Sequence, residues 1–115
     1  MPDKVYRTAI YCRLSREDGD KVESNSIASQ RAICEDYIAR HDDLELVCEP
    51  FVDDGYSGVS FNRPQFKKLE EAIRKGALDC IVVKDLSRFS RNYIDGGRYI
   101  EKIFPQLGIR FIAIN

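Results

Sequence analysis

Apolar and polar positions along the chain fall into blocks of two periods. Val5–Cys12 (V-Y-R-T-A-I-Y-C) is β-branched, aromatic and mostly apolar, which predicts a strand. From Ser26 to Arg40, the residues Ile27, Cys34, Tyr37 and Ile38 recur at helical spacing, with Ser24, Asn25 or Ser26 available as N-cap. Leu44–Val52 reads as a second strand, and Asp53-Asp54-Gly55 with Ser57-Gly58 punctuates a loop running to Asn62. Pro64 suits the first turn of a helix with the apolar stripe Phe66, Leu69, Ala72 and Ile73 and a stop at Gly76. Asp79–Lys84 (D-C-I-V-V-K) holds the short continuous apolar run of a buried parallel strand. Asp85–Asn92 is dense in polar groups and reads as a turn. Tyr93–Leu107 is a third helix whose last turn Pro105 should distort, and Gly108 leads into a fourth strand, Ile109–Ile114. Residues 14–25 are polar, and the 16–25 stretch, with little apolar content to anchor it, is expected to be mobile.

The order β-α-β-α-β-α-β predicts an α/β fold: a mostly parallel four- to five-stranded sheet with helices on both faces. A length of 115 residues suits one domain over 1–115. The chain stops on a strand with nothing to cover it, so the expectation is a piece of a longer protein.

Composition narrows the class. With 43% apolar and 32% charged residues the chain is not a disordered polymer. No apolar run approaches the roughly 18 residues of a membrane span, and Met1–Arg7 has no hydrophobic signal region, so a cytoplasmic location is expected. The net charge of -1 hides a segregation: residues 16–54 hold 4 basic and 12 acidic side chains, residues 63–102 hold 10 and 6. That argues against a purely electrostatic nucleic-acid binder and leaves room for a local anion site in the C-terminal half. Cys12, Cys34, Cys48 and Cys80 form no C-x-x-C pair and His41 is the sole histidine, so no zinc site of ordinary spacing exists; reduced thiols serving as small apolar residues are expected.

In open parallel sheets ligands bind beyond the carboxyl ends of the strands. There the chain gathers Arg13-Leu14-Ser15-Arg16, Asp53-Asp54 and Lys84-Asp85-Leu86-Ser87-Arg88-Phe89-Ser90-Arg91. Several planar guanidinium forks favour a phosphate, and a serine among them suggests a nucleophile, which needs activation because its free pKa is far too high. His41 falls after the first helix, away from this edge, so a Ser-His-Asp triad is poorly supported. The nucleophile-elbow, P-loop and dinucleotide fingerprints are absent from the sequence. Each residue also has a plainer reading: Ser15 bonding a loop, Arg88 and Arg91 as a helix-surface pair, Asp53 and Asp54 as turn formers, Gln30 on a helix surface. Residue types alone lead to a phosphate-handling α/β domain and no further.

The ordered motifs resemble the catalytic domain of the serine site-specific recombinases, the resolvase/invertase family. Tyr11-Cys12-Arg13-Leu14-Ser15 resembles its Y-x-R-[VL]-S segment, and Ser26-Ile27-Ala28-Ser29-Gln30 its S-[LI]-x-x-Q segment. Phe51-Val52-Asp53-Asp54-Gly55-Tyr56-Ser57-Gly58 resembles F-x-D-x-G-x-S-G, Asn62-Arg63-Pro64 resembles D-R-P, and Leu86-Ser87-Arg88-Phe89-Ser90-Arg91 resembles L-D-R-[LF]-x-R. The Arg16–Asn25 insert and the D-D-G-Y-S-G wording look most like the large serine recombinases of phages and mobile transposons, of which this chain would be the N-terminal catalytic piece without its DNA-binding domains.

The resemblance implies that Ser15 attacks a DNA phosphodiester, giving a 5′-phosphoserine link and a free 3′-hydroxyl. Arg13, Arg63, Arg88 and Arg91 would stabilise the phosphoryl charge, and Gln30 would bond the phosphate or orient an arginine. Asp54 would orient partners at the rim, with Ser26, Asp85 and Ser87 in support. No metal and no cofactor is implied. The partners implied are DNA and further copies of the chain, as dimer and tetramer, in the full-length protein, and the fragment alone is expected not to recombine DNA. One departure stands out: the family's L-D-R aspartate is Ser87 here, with Asp85 two residues earlier. Two other readings remain open, a receiver-like domain with Asp53 or Asp54 as phosphoacceptor and Lys84 at another strand end, and a non-catalytic dimerisation or DNA-tethering module.

Overall fold

The computed structural model describes residues 3–15 and 26–115. Strand β1 (Tyr6–Leu14) is followed by helix α1 (Ile27–Ala39), strands β2 (Leu44–Leu46) and β3 (Phe51–Asp54), helix α2 (Pro64–Arg74), strand β4 (Cys80–Val83) and a short helix α3 (Leu86–Phe89). Then come α4 (Tyr93–Arg98), a π-helical segment (Tyr99–Ile103), α5 (Phe104–Gln106) and β5 (Arg110–Ala113). Every strand pairing is parallel, in the order β2-β1-β4-β5 with β3 also beside β1.

The central strands are apolar on both sides because both faces are covered. With a side-chain period of two, Ala9 and Tyr11 join Phe66, Leu69, Ile73, Phe89 and Phe104 in one core, beneath α2 and the C-terminal helical run. Ile10 and Cys12 face the other way, onto Cys34 and Ile38 of α1. Burial pushes the Cys12 and Cys34 thiols up to about 12. They are inert apolar filling. Cys80 is also buried, and only Cys48 among the four is exposed.

Three expected boundaries change. Leu44–Val52 is not one strand: β2 pairs with the first half of β1 (Tyr6↔Leu44) and β3 with the second half (Tyr11↔Phe51), so two short strands share one edge. Pro50, which lacks a ladder N–H, sits in the break. The Asp85–Asn92 turn contains α3, whose N-cap Asp85 accepts from the Arg88 N–H at 3.0 Å. Pro105 acts on the turn before it, where the helix widens into the π register of Tyr99–Ile103. Of the three candidate caps for α1, Ser26 serves, its hydroxyl accepting from the Ser29 N–H at 3.1 Å. Ser24, Asn25 and the expected mobility of 16–25 lie outside the described residues.

At the opening edge of the sheet, Arg7 donates through Nε and Nη2 to Asp79 at 2.9 and 3.0 Å, joining the starts of β1 and β4. The Arg7 hydrogen bonds hold the Asp79 carboxyl at about 2. A carboxyl depressed in the folded state contributes stability above its unfolded value, near ~3.9, and loses it as pH falls through the folded value. Asp79→Asn is therefore expected to lower the midpoint of urea unfolding at pH 7 and to remove part of the acid-induced decline between pH ~4 and ~2, in a pH series of unfolding curves. A decline parallel to the unsubstituted protein would count against this pairing.

Candidate active site

The ends of β1, β3 and β4 converge on one edge, and Arg13 at the end of β1 is completely buried there. Its Nε donates to the Arg88 carbonyl (3.1 Å), its Nη2 to the Ser87 carbonyl (2.7 Å) and its Nη1 to the Tyr56 carbonyl (3.0 Å). One guanidinium thus binds β1 to α3 and to the loop after β3. The fork suits this role because several donors leave one rigid plane in fixed directions. Gly58 makes the approach possible: a Cβ there would lie 2.7 Å from Arg13 Nη2 and 3.0 Å from Arg91 Cγ. Gly55, in the same loop, has φ of 92°, which an L side chain rarely adopts, and its N–H donates to the Leu14 carbonyl.

Arg63 is equally buried, immediately before α2. Its Nη1 donates to the Phe89 carbonyl at 2.6 Å and its Nε to the Ser60 carbonyl at 2.8 Å, while its guanidinium lies 4.5 Å over the Phe61 ring. Its Nη2 is buried without a hydrogen-bond partner among the described residues. Nη1 also lies 3.4 Å from the Tyr11 hydroxyl, which donates to Asp53 Oδ2 at 2.8 Å. Asp53 in turn accepts from the N–H groups of Gln65 and Phe66, both at 3.0 Å, and so caps α2 from a neighbouring strand, since Arg63 at the N-cap position provides no side-chain cap.

Arg88, 3% exposed, donates through Nη1 to the Arg13 carbonyl at 3.1 Å. Gln30 is fully buried and pairs with both backbone groups of the same residue, Oε1 accepting from the Arg13 N–H (3.2 Å) and Nε2 donating to the Arg13 carbonyl (3.0 Å). Ser15, two residues on, is 4% exposed. The Ser87 hydroxyl donates to Asp85 Oδ1 at 2.6 Å. Burial alone would raise the Asp85 carboxyl, but the Ser87 hydrogen bond, the Arg88 N–H and the charges of Arg88 and Lys84 together hold it below the usual range.

The structure therefore brings Arg13, Gln30, Ser87, Arg88 and Asp85 into one hydrogen-bonded group, with Arg63 joined to it through α3. Arg91 is exposed, anchored by its N–H to the Gly58 carbonyl at 2.7 Å. Ser26 is a helix cap rather than a member of the group. Asp54 is exposed, and the carboxylate that orders this edge is Asp53. Enclosed by Tyr11 and the start of α2, Asp53 is poorly placed as a phosphoacceptor. The helix-surface reading of Arg88 and Gln30 does not hold, since both are buried. His41 stacks on Tyr37 at 4.0 Å, next to the start of β2 at the opposite end of β1 from Ser15. Tyr11 and Gly58 lie within the ordered motifs, but residue types do not show what they do: the Tyr11 hydroxyl links Asp53 to Arg63, and Gly58 leaves the space that Arg13 fills.

A cavity of about 350 Å³ opens beside this group, lined in part by Ser87, Ser90, Arg91 and Asn92; it does not reach Ser15. Because the space at Gly58 is filled by Arg13, Gly58→Ala is expected to lower stability by about 1–3 kcal/mol, the usual cost of overpacking, measured by urea unfolding. An unchanged midpoint would show that Arg13 can relax away without cost.

Residues 8–115 match the family model described as Resolvase, N terminal domain. A curated relative from Bacillus subtilis (strain 168), named "Putative DNA recombinase", is 31% identical over 87 residues, which is 76% of this chain but 16% of that protein's length. The N-terminal catalytic domain of TP901-1 integrase superposes with a TM-score of 0.81 at 28% identity, covering 95% of this chain and 77% of that one. The C-terminal catalytic domain of ISC1926 TnpA, an IS607-like serine recombinase, shares the fold with a TM-score of 0.76 at 22% identity, covering 95% and 67%. A parallel sheet with helices on both faces, a polar group at its strand ends and a family match over nearly the whole length agree: the chain belongs to the resolvase N-terminal domain family.

Proposed function

We propose that this domain is the catalytic piece of a site-specific DNA recombinase in which Ser15 is the nucleophile. The observation that carries this reading is the burial of three guanidinium groups, those of Arg13, Arg63 and Arg88, at the strand-end edge from which Ser15 extends. Burying a cation is costly, and backbone carbonyls accept from all three nitrogens of the Arg13 guanidinium and from Nε and Nη1 of Arg63 without cancelling charge. Such an edge complements a phosphate.

In the proposed step the Ser15 oxygen bonds to phosphorus as the P–O3′ bond breaks. The 3′-oxygen departs with the bonding pair and takes up a proton, while Ser15 loses its own to solvent or a neighbouring base. DNA is left joined through its 5′-phosphate to Ser15. The reverse attack by a 3′-hydroxyl of the exchanged strand rejoins the DNA. The ester energy is retained in the phosphoserine link, so the reaction needs no nucleotide. Arg13 and Arg63 hold the walls and supply fixed positive potential, and Arg88 and Arg91 meet the phosphoryl oxygens. DNA, self-association into dimers and tetramers, and a cytoplasmic setting belong to the full-length protein in this reading. Among the described residues no helix is long and apolar enough to cross a membrane.

The test is made in the full-length protein on DNA bearing its recombination site. Ser15→Ala is expected to abolish covalent protein–DNA complex. Arg88→Ala is expected to slow its formation roughly a hundredfold, about 3 kcal/mol of lost charge stabilisation. Recombination that survives Ser15→Ala would overturn the assignment and favour the tethering module.

A further inference from the structure

The site holds a carboxylate that the proposed step does not use. Asp85, just beyond β4, is 26% exposed at its side chain and faces Lys84 Nζ at 3.8 Å from Oδ2 and Arg88 Nε at 3.8 Å from Oδ1. Its Oδ1 also accepts the Ser87 hydroxyl at 2.6 Å, a short O–H···O⁻ bond of the charge-assisted kind. The hydrogen of Ser87 is thereby committed to Asp85, and the Ser87 oxygen presents lone pairs to Arg88 Nη2 at 3.5 Å. On its other side Arg88 is fixed by Nη1 to the Arg13 carbonyl. The guanidinium therefore sits between a neutral acceptor on β1 and a carboxylate–hydroxyl pair on its own turn.

We infer that Asp85 is a positioning residue that acts through Ser87, the two together aiming Arg88 at the phosphoryl group. The inference rests on the reading of Ser15 and Arg88 given above. The hydroxyl is the contact and the carboxylate supplies the charge, so this chain splits between two residues what one carboxylate directly before Arg88 could do. Asp85 also caps α3 through the Arg88 N–H, and that role alone would explain its place. The two roles are separable by chemistry. Asparagine caps helices as well as aspartate does and can accept the Ser87 hydroxyl, but it carries no charge.

The experiment uses the full-length protein and DNA bearing its recombination site, and reads the rate of Ser15-linked DNA formation, DNA affinity by mobility shift, and melting temperature. Asp85→Asn is expected to slow covalent complex formation roughly 10- to 100-fold, the size of effect seen when an orienting partner is lost, with affinity and melting unchanged. Ser87→Ala, which leaves the cap intact but removes the hydroxyl through which Asp85 acts, is expected to slow the rate to a similar extent. Adding Ser87→Asp to Asp85→Asn puts a carboxylate back beside Arg88 and is expected to recover most of the rate. An Asp85→Asn protein that forms linked DNA at the original rate overturns the inference, as does a loss that Ser87→Asp does not recover. If Asp85→Asn does not fold, Ser87→Ala decides: an unchanged rate overturns the inference and a slowed one supports it. Failure of the Ser15 reading looks different, because the unsubstituted protein would then yield no Ser15-linked DNA.

Discussion

A guanidinium with no exposed surface, that of Arg13, fastens three separate segments at the point where the parallel strands end. Strand β1 carries it, the loop after β3 gives one carbonyl, and α3 gives two. Each of those carbonyls gains a donor from the one guanidinium, and a buried carbonyl left unpaired is costly. The arginine therefore solves a backbone problem first. In doing so it places a positive charge where β1 delivers Ser15, and it sets the space that Gly58 must leave empty.

Around it the same economy recurs. Gln30 imitates a strand neighbour for the Arg13 backbone, Asp53 caps α2 from β3, and Arg63 holds the 57–60 loop and α3 while lying on Phe61. These contacts are side chain to backbone, so their geometry is inherited from the rigid sheet and the aromatic core of Phe61, Phe66, Phe89, Tyr99 and Phe104 beneath. In the proposed reaction, a site held in this way would need little reorganisation as charge develops on the phosphate, which is the condition for electrostatic stabilisation of a transition state.

The parallel sheet was legible because its signal is periodic: the unbroken C-I-V-V run of β4 and the apolar β1 admit few other folds. The break at Pro50 was hidden by the apolar residues on either side of it, and α3 by its polarity, since a four-residue helix has no apolar stripe to announce it. The members of the candidate site are legible in the sequence only as residue types in order. Their division of labour was not: nothing in the identity of Arg13 or Arg63 says that a guanidinium donates to carbonyls, and nothing in D-D distinguishes the buried Asp53 from the exposed Asp54. Those distinctions arise from register, Arg13 lying opposite Asp53 in the β1–β3 ladder.

The claim on which the rest depends is that Arg13 and Arg63 are locked to backbone carbonyls in the protein without DNA. Hydrogen exchange of the arginine Nε–H groups, followed by nitrogen-edited NMR on this domain, measures it directly. The expected result is strong protection of the Arg13 and Arg63 Nε–H, each buried and bonded to a carbonyl, against rapid exchange at the exposed Arg91. Exchange at Arg13 and Arg63 as fast as at Arg91 would contradict it and would mean that the edge assembles only when DNA arrives.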